Sequence, residues 1–244
     1  MSDLSGDTKY YKQLAKRAQE QHNLLTAQGY REHDEHGVKE QWPTHTDLAA
    51  FVTDASASFN HAIAALDLGC GTGRYFHCLK NLKSLTGIDA SSEMLLQAEH
   101  PVEEATISVK PSLICADLTE VQFPDASFDL VYSIGVLGEF MPFDRYFCEK
   151  IARIVKPGGK FAFTVMDKKS PTKTSWQRRL VTLCLPIFPR PLERRVRTRM
   201  RLLGLSEMEL HSILTPAFAR ATINQRRSCT SGSLHWTCIA EKKA

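Results

Sequence analysis

The residues in this chain best suited to chemistry are three carboxylates, one of which stands at a turn rich in glycine. In the run ALDLGCGTGR (65–74), Asp67 precedes Gly69, Gly71 and Gly73. Glycines at alternate positions after an apolar run let a turn of backbone approach a ligand closely. A dinucleotide fingerprint needs a further glycine where this chain has Arg74. A carboxylate beside a phosphate cradle would also repel pyrophosphate, whereas it favours an ammonium or sulfonium group. Asp67 therefore points to a cationic nucleoside without phosphate. Asp89 ends a second apolar run, where an acid accepts hydrogen bonds from both ribose hydroxyls. Asp117 ends a third and would reach an adenine amino group.

The elements that must position these acids follow from pattern. Ala62 to Leu68 is a nearly continuous apolar run, the mark of a strand buried on both faces. Further strands are expected at 84–90, 112–118, 128–137 and 160–166, and two more at 218–229 and 233–242 around Ser231 and Gly232. Helices are expected at 9–28, ended by Gly29, from 47 to just beyond 52, at 75–82, from Ser91 or Ser92 to Ala98, and at 144–155 before Pro157-Gly158-Gly159. Strands alternating with helices imply right-handed crossovers and a parallel sheet. The last two strands are too closely connected to be parallel, so one strand near the edge is reversed. The expectation is a Rossmann-like, doubly wound, seven-stranded α/β sheet, mostly parallel. Residues 1–60 form an N-terminal helical cap, and residues 61–244 a single domain with a helical lid insert at about 168–215. Ser206 with Glu209 has the spacing of a capping box for the last helix of that insert.

One molecule carries an amino-acid cation, a sulfonium, a ribose and an adenine, and that molecule is S-adenosylmethionine. On these same residues the chain resembles the class I S-adenosylmethionine-dependent methyltransferases, in particular the group with the ubiquinone-biosynthesis and small-molecule enzymes. LDLGCGTG (66–73), GIDAS (87–91), ICADL (114–118), FDLVYSIGVL (128–137) and VKPGGKFAFT (155–164) stand in the places of successive family motifs. The resemblance covers roughly 62–166 and implies the sheet order 3-2-1-4-5-7-6 and methyl transfer to a nucleophile. It also implies cofactor contacts at Asp67, Gly69, Cys70, Gly71, Gly73, Asp89, Ala90, Met94, Ala116, Asp117, Leu118 and Ser133. Tyr11, in the expected first helix, would close over the cofactor as an N-terminal helix does in similar enzymes.

The acceptor side is less informative. After the fourth strand the chain reads IGVLGEF (134–140), and Glu139 is the candidate to position or deprotonate an acceptor. Many relatives carry a histidine pair near this place, and this chain does not. His33 and His36 have the i, i+3 spacing of metal ligands, but they sit in an exposed polar stretch, and no metal is expected. Between Lys173 and Arg201 there are nine basic residues against the single acid Glu193. Such a cluster suits an anionic acceptor, RNA, or peripheral contact of the adjacent LVTLCLPIF (180–188) with a membrane. A small-molecule or lipid-like acceptor is the first reading; an RNA methyltransferase and a non-catalytic, cofactor-binding partner subunit are the alternatives.

Composition sets the outer bounds. The 244 residues are 43% hydrophobic, enough for one sizeable core, and the formal net charge of +4 implies no partner. Seven cysteines, an odd number without a CxxC pair, argue against a disulfide framework and for a reducing, cytoplasmic compartment. The polar start is not a signal peptide, and no apolar run is long enough to span a bilayer.

Overall fold

The computed structural model describes residues 24–170, 203–227 and 233–243, together with Lys16 and Glu20. Its centre is a seven-stranded sheet in the order β3-β2-β1-β4-β5-β7-β6. The strands are β1 (Ile63–Leu68), β2 (Leu82–Asp89), β3 (Ser112–Cys115), β4 (Phe128–Leu137), β5 (Val155–Met166), β6 (Arg220–Arg227) and β7 (Leu234–Glu241). The pairs from β3 through β5 are parallel, and β7 runs antiparallel to both β5 and β6. The expected order and the single reversed strand are both present. Because β7 is reversed, its beginning lies at the same edge of the sheet as the ends of β4, β5 and β6.

Side-chain alternation divides the core between the two faces. Leu66, Leu68, Val131, Phe161 and Phe163 pack with Phe147, Ile151, Leu210 and Leu214 on one side. Ile63, Ala65, Leu130 and Ala162 pack with Phe51, Val52, Ala55 and Phe76 on the other. The first side is covered by α4 (Arg145–Ile154) and α5 (Glu207–Leu214). Asp144 caps α4 by accepting from the Phe147 N–H at 3.0 Å. Ser206 and Glu209 form the expected reciprocal capping box at the start of α5. On the second side lies α2 (Pro43–Ala57), which opens with proline in its first turn. Ser91 caps α3 (Ser92–Ala98) through the Met94 N–H at 3.1 Å.

Three expectations need correction. The first described helix, α1 (Leu24–Lys39), passes through Gly29 rather than ending there. A glycine inside a helix costs only about 1 kcal/mol relative to alanine, and the surrounding residues carry the helix through it. The expected helix at 75–82 is a single 3₁₀ turn, Phe76–Cys78, because β2 begins two residues earlier than the pattern suggested. The C-terminal half of α2 occupies the space beside that turn: Thr53 Oγ1 donates to the Cys78 carbonyl and Ser56 Oγ accepts from the Lys80 N–H, both at 2.9 Å. Finally, β5 starts at Val155 with no intervening loop, so Pro157-Gly158-Gly159 lies within the strand rather than before it. The early part of the expected first helix, and residues 171–202 of the insert, lie outside the described residues.

Candidate cofactor and acceptor site

The strand ends open into one cavity of about 660 Å³. At its floor, β1 passes into the glycine turn. The N–H groups of Gly69 and Cys70 both donate to the Ile88 carbonyl, at 2.8 and 2.9 Å, which folds the turn back over β2. Gly69 has φ +77°, and a Cβ there would clash with Val136 Cγ2, so the turn and the end of β4 could not both keep their places around a side chain. At Gly71, with φ +54°, an added Cβ would meet nothing nearer than Met94 Cε at 3.9 Å. Gly71 and Met94 both line the cavity, and the space a side chain would enter is therefore left for a ligand.

Asp67 is 3% exposed at the end of β1. Burial raises its carboxyl from an ordinary acidic value to about 8, and the nearby charge of Asp89 adds to the rise. The Tyr132 hydroxyl partly opposes it. Sheet register places Tyr132 directly beside Asp67 on β4, and its buried hydroxyl stops short of a regular hydrogen bond. The surroundings thus favour the neutral form of this carboxyl. Asp89 grips the turn: its two oxygens accept from the N–H groups of Gly71 and Ser91, each at 2.9 Å. Asp117 Oδ1 accepts from both the N–H and the hydroxyl of Thr119 at 2.8 Å, and the residue also lines the cavity. Its local turn and its place in the site are compatible.

The structure brings Asp67, Gly69, Cys70, Gly71, Asp89, Ala90, Met94, Asp117, Leu118 and Glu139 together around this cavity. Gly73, Ala116 and Ser133 do not line it. Ser133 is fully buried and its hydroxyl donates to the Leu68 carbonyl at 2.8 Å, tying β4 to β1 instead of facing a ligand. Tyr11 lies outside the described residues. The Cys70 thiol is buried and its pKa is pushed well up by desolvation, which suits packing and not nucleophilic chemistry. Among the described residues no cluster of potential ligands could hold a metal. His33 packs edge-on against Trp42, with ring centres 4.9 Å apart.

Two groups escaped sequence reasoning. The first is Asp34 on α1, 1% exposed, which accepts from the Thr72 hydroxyl and pairs with Arg74. Arg74, the residue that replaces the dinucleotide glycine, thus anchors the N-terminal helix to the glycine turn. The second is His235 on β7. Its Nδ1 lies 3.5 Å from Glu139 Oε1, and its Nε2 2.8 Å from Ser233 Oγ. Its only signal in sequence was a histidine near the start of an expected strand, SLHWTCIAEK (233–242).

Comparison with known proteins now bears on this geometry. Residues 66–163 match the family described as methyltransferase domain. That stretch, less than half of the chain, is similar to a methyltransferase domain. Its relatives include the 2-methyl-6-phytyl-1,4-hydroquinone methyltransferase of Synechocystis, 29% identical over 170 residues that cover 56% of this chain and 52% of the relative. The phosphatidylethanolamine N-methyltransferase of Cereibacter sphaeroides is 34% identical over 39% of this chain and 46% of its own. The chain therefore spans about half the length of these curated relatives. Among solved structures, magnesium protoporphyrin IX methyltransferase of Synechocystis, bound to SAH, superposes with a TM-score of 0.55 over 86% of both chains at 15% identity. The cyclase SpnF superposes with a TM-score of 0.56 over 81% of this chain and 82% of its own, also at 15% identity. One fold serving a methyltransferase and a cyclase means that the likeness establishes architecture, and activity has to be argued from the site.

Proposed function

We propose that this methyltransferase domain transfers a methyl group from S-adenosylmethionine to a small-molecule or lipid-like acceptor. The observation that carries the reading is the convergence of Asp67, Asp89 and Asp117 with the open face of Gly71 on one cavity. The residues fit the cofactor: a buried carboxyl that a cation would bring to its ionised form, a strand-end acid for the ribose, and a third acid for the adenine. When bound, it supplies a methyl carbon already activated by a sulfonium. The chain then has to align an acceptor in line with that carbon and exclude water. Ile134, Val136, Phe140, Met141 and Met166 give the remaining part of the cavity an apolar lining. The cavity volume suits a nucleoside together with a modest acceptor.

The N-terminal residues act in this reading as a cap over the cofactor, supported by the Asp34 contacts with Thr72 and Arg74. The two curated relatives named above are a hydroquinone and a phosphatidylethanolamine methyltransferase, which supports a small or lipid-like acceptor here. RNA binding or peripheral membrane contact would depend on the arginines between 173 and 201, outside the described residues. No helix among the described residues is long and apolar enough to cross a membrane. The five described cysteines are free thiols, which supports a reducing, cytoplasmic setting. Calorimetry tests the core of the reading: S-adenosylmethionine and SAH should bind and NAD should not. Tight NAD binding with neither of the other two would overturn it.

A further inference from the structure

The reversal of β7 brings a histidine to the cavity at the ends of β5 and β6. Register pairs His235 with Met166 of β5 on one side and Arg226 of β6 on the other, so the three side chains share one face of the sheet. All three line the cavity, at its edge away from the strands that carry the three acids. Glu139 reaches His235 from the turn that follows β4, 3.5 Å from Nδ1. Ser233 lies two residues earlier, just before β7, and its hydroxyl is 2.8 Å from Nε2. A carboxylate at Nδ1 keeps the ring proton there, which assigns the Nε2 lone pair to the Ser233 side and the cavity.

We propose that His235 is the general base for the acceptor, that Glu139 and Ser233 are its positioning residues, and that the acceptor is a hydroxyl compound carrying an anionic group. The proposal rests on the methyltransferase reading and extends it. Burial lowers the His235 pKa, so the ring is neutral and able to accept a proton near pH 7. A hydroxyl needs such a group, because it must lose its proton as it becomes an ether or ester. In that step the acceptor oxygen forms a bond to the methyl carbon and the sulfur–methyl bond breaks. The acceptor hydroxyl takes the place of the Ser233 hydroxyl at the Nε2 lone pair, its proton passes to Nε2, and the sulfur leaves as a neutral thioether. Arg226 and Arg227 at the cavity rim favour an anion on the same acceptor and disfavour a protonated amine. Arg226 also faces Asp47 at 3.8 Å, so an anionic acceptor would share an existing charge pair.

The test combines chemistry with a readout independent of turnover. The protein is incubated with methyl-labelled S-adenosylmethionine and a total metabolite extract, the labelled products are identified by mass and fragmentation, and SAH affinity is measured by calorimetry. The expected product is an O-methylated anion. His235→Asn should keep SAH affinity within about twofold and lower kcat about 10²–10⁴-fold. In wild type, the rate should rise with pH through the His235 ionisation, followed separately as the ring proton signal by NMR. The charged and polar groups facing that ring are Glu139, Arg226 and Ser233, with Asp47 and Arg227 at the rim. Glu139→Gln removes the anion that favours the imidazolium, so the ring titration and the rate profile should both move to lower pH. Wild-type rates in His235→Asn, an N- or C-methylated product, or SAH binding without transfer to any compound would each overturn the proposal. Failure of the wild-type protein to bind SAH would instead bring down the methyltransferase reading, and this inference with it.

Discussion

The two halves of the cavity are built in opposite ways. The half at the ends of β1, β2 and β3 is made of short, contiguous units. Asp67 and the glycine turn occupy one run of sequence, Asp89 and Ser91 another, and Asp117 and Thr119 a third. Asp89 and Asp117 each cap their own following turn, through Ser91 and Thr119, and further bonds join the adjacent strand ends of β1 and β2. The half at the ends of β4, β5 and β7 joins Glu139 to His235 across nearly a hundred residues, and sheet register alone brings Arg226 alongside. In the proposed reading, the ligand common to many enzymes would meet the half built from short motifs, and the acceptor the half assembled by long-range pairing.

The largest expected effect tests whether the cofactor half depends on the N-terminal helix. Asp34→Ala would strand Arg74 beside the glycine turn without its buried partner. Stability should fall by about 2–4 kcal/mol, below the full cost of breaking a buried pair because the guanidinium is partly exposed. Chemical denaturation measures this directly, and an unchanged midpoint would mean that α1 is only a cover.

Next comes Asp89→Ala, which removes a charge-assisted acceptor from the ligand and also frees the N–H groups of Gly71 and Ser91. A loss of about 1.5–3 kcal/mol corresponds to roughly 10- to 150-fold weaker SAH binding by calorimetry. Unaltered binding would break the assignment of this half to the cofactor.

A pH effect follows from Asp67. Its carboxyl is raised from 3.8 to about 8 by burial, so it is mostly protonated at pH 7 in the free protein. A cationic ligand binds the ionised form. Affinity for S-adenosylmethionine should therefore rise with pH by up to about tenfold per unit below pH 8, and level off above it. Binding near pH 7 should release a proton, visible as a dependence of the calorimetric heat on buffer ionisation. Asp67→Asn should abolish both.

The smallest effect belongs to the acceptor half. Arg226→Glu should raise the acceptor KM a few-fold and leave SAH affinity unchanged, and the difference should shrink at high salt, because exposed charges are screened within about 8 Å at physiological ionic strength. A change in SAH affinity of the same size would mean that the two halves are not separable.

What the sequence determined by itself was whatever depends on neighbours along the chain. The apolar run of β1, the capping serine of α3, the capping box of α5 and the positions of the three acids all express local preferences or the alternation of side chains. The sheet order was legible only because these local pieces resemble a family whose order is common to its members. Tertiary structure decided what depends on register and on the direction of distant strands. Tyr132 meets Asp67 because β4 pairs with β1 at that register. Ser133 was a candidate by position along β4, but it turns to the Leu68 carbonyl because successive side chains alternate across a strand. The helix expected at 75–82 is a short turn because α2, from another part of the chain, supplies partners there. His235 reaches Glu139 because an antiparallel strand delivers its first residues to the edge where parallel strands deliver their last. The short connection at 231–232 showed that one of the last two strands is reversed, but no pattern within SLHWTCIAEK encodes its register against β5, which is what sets His235 at that edge.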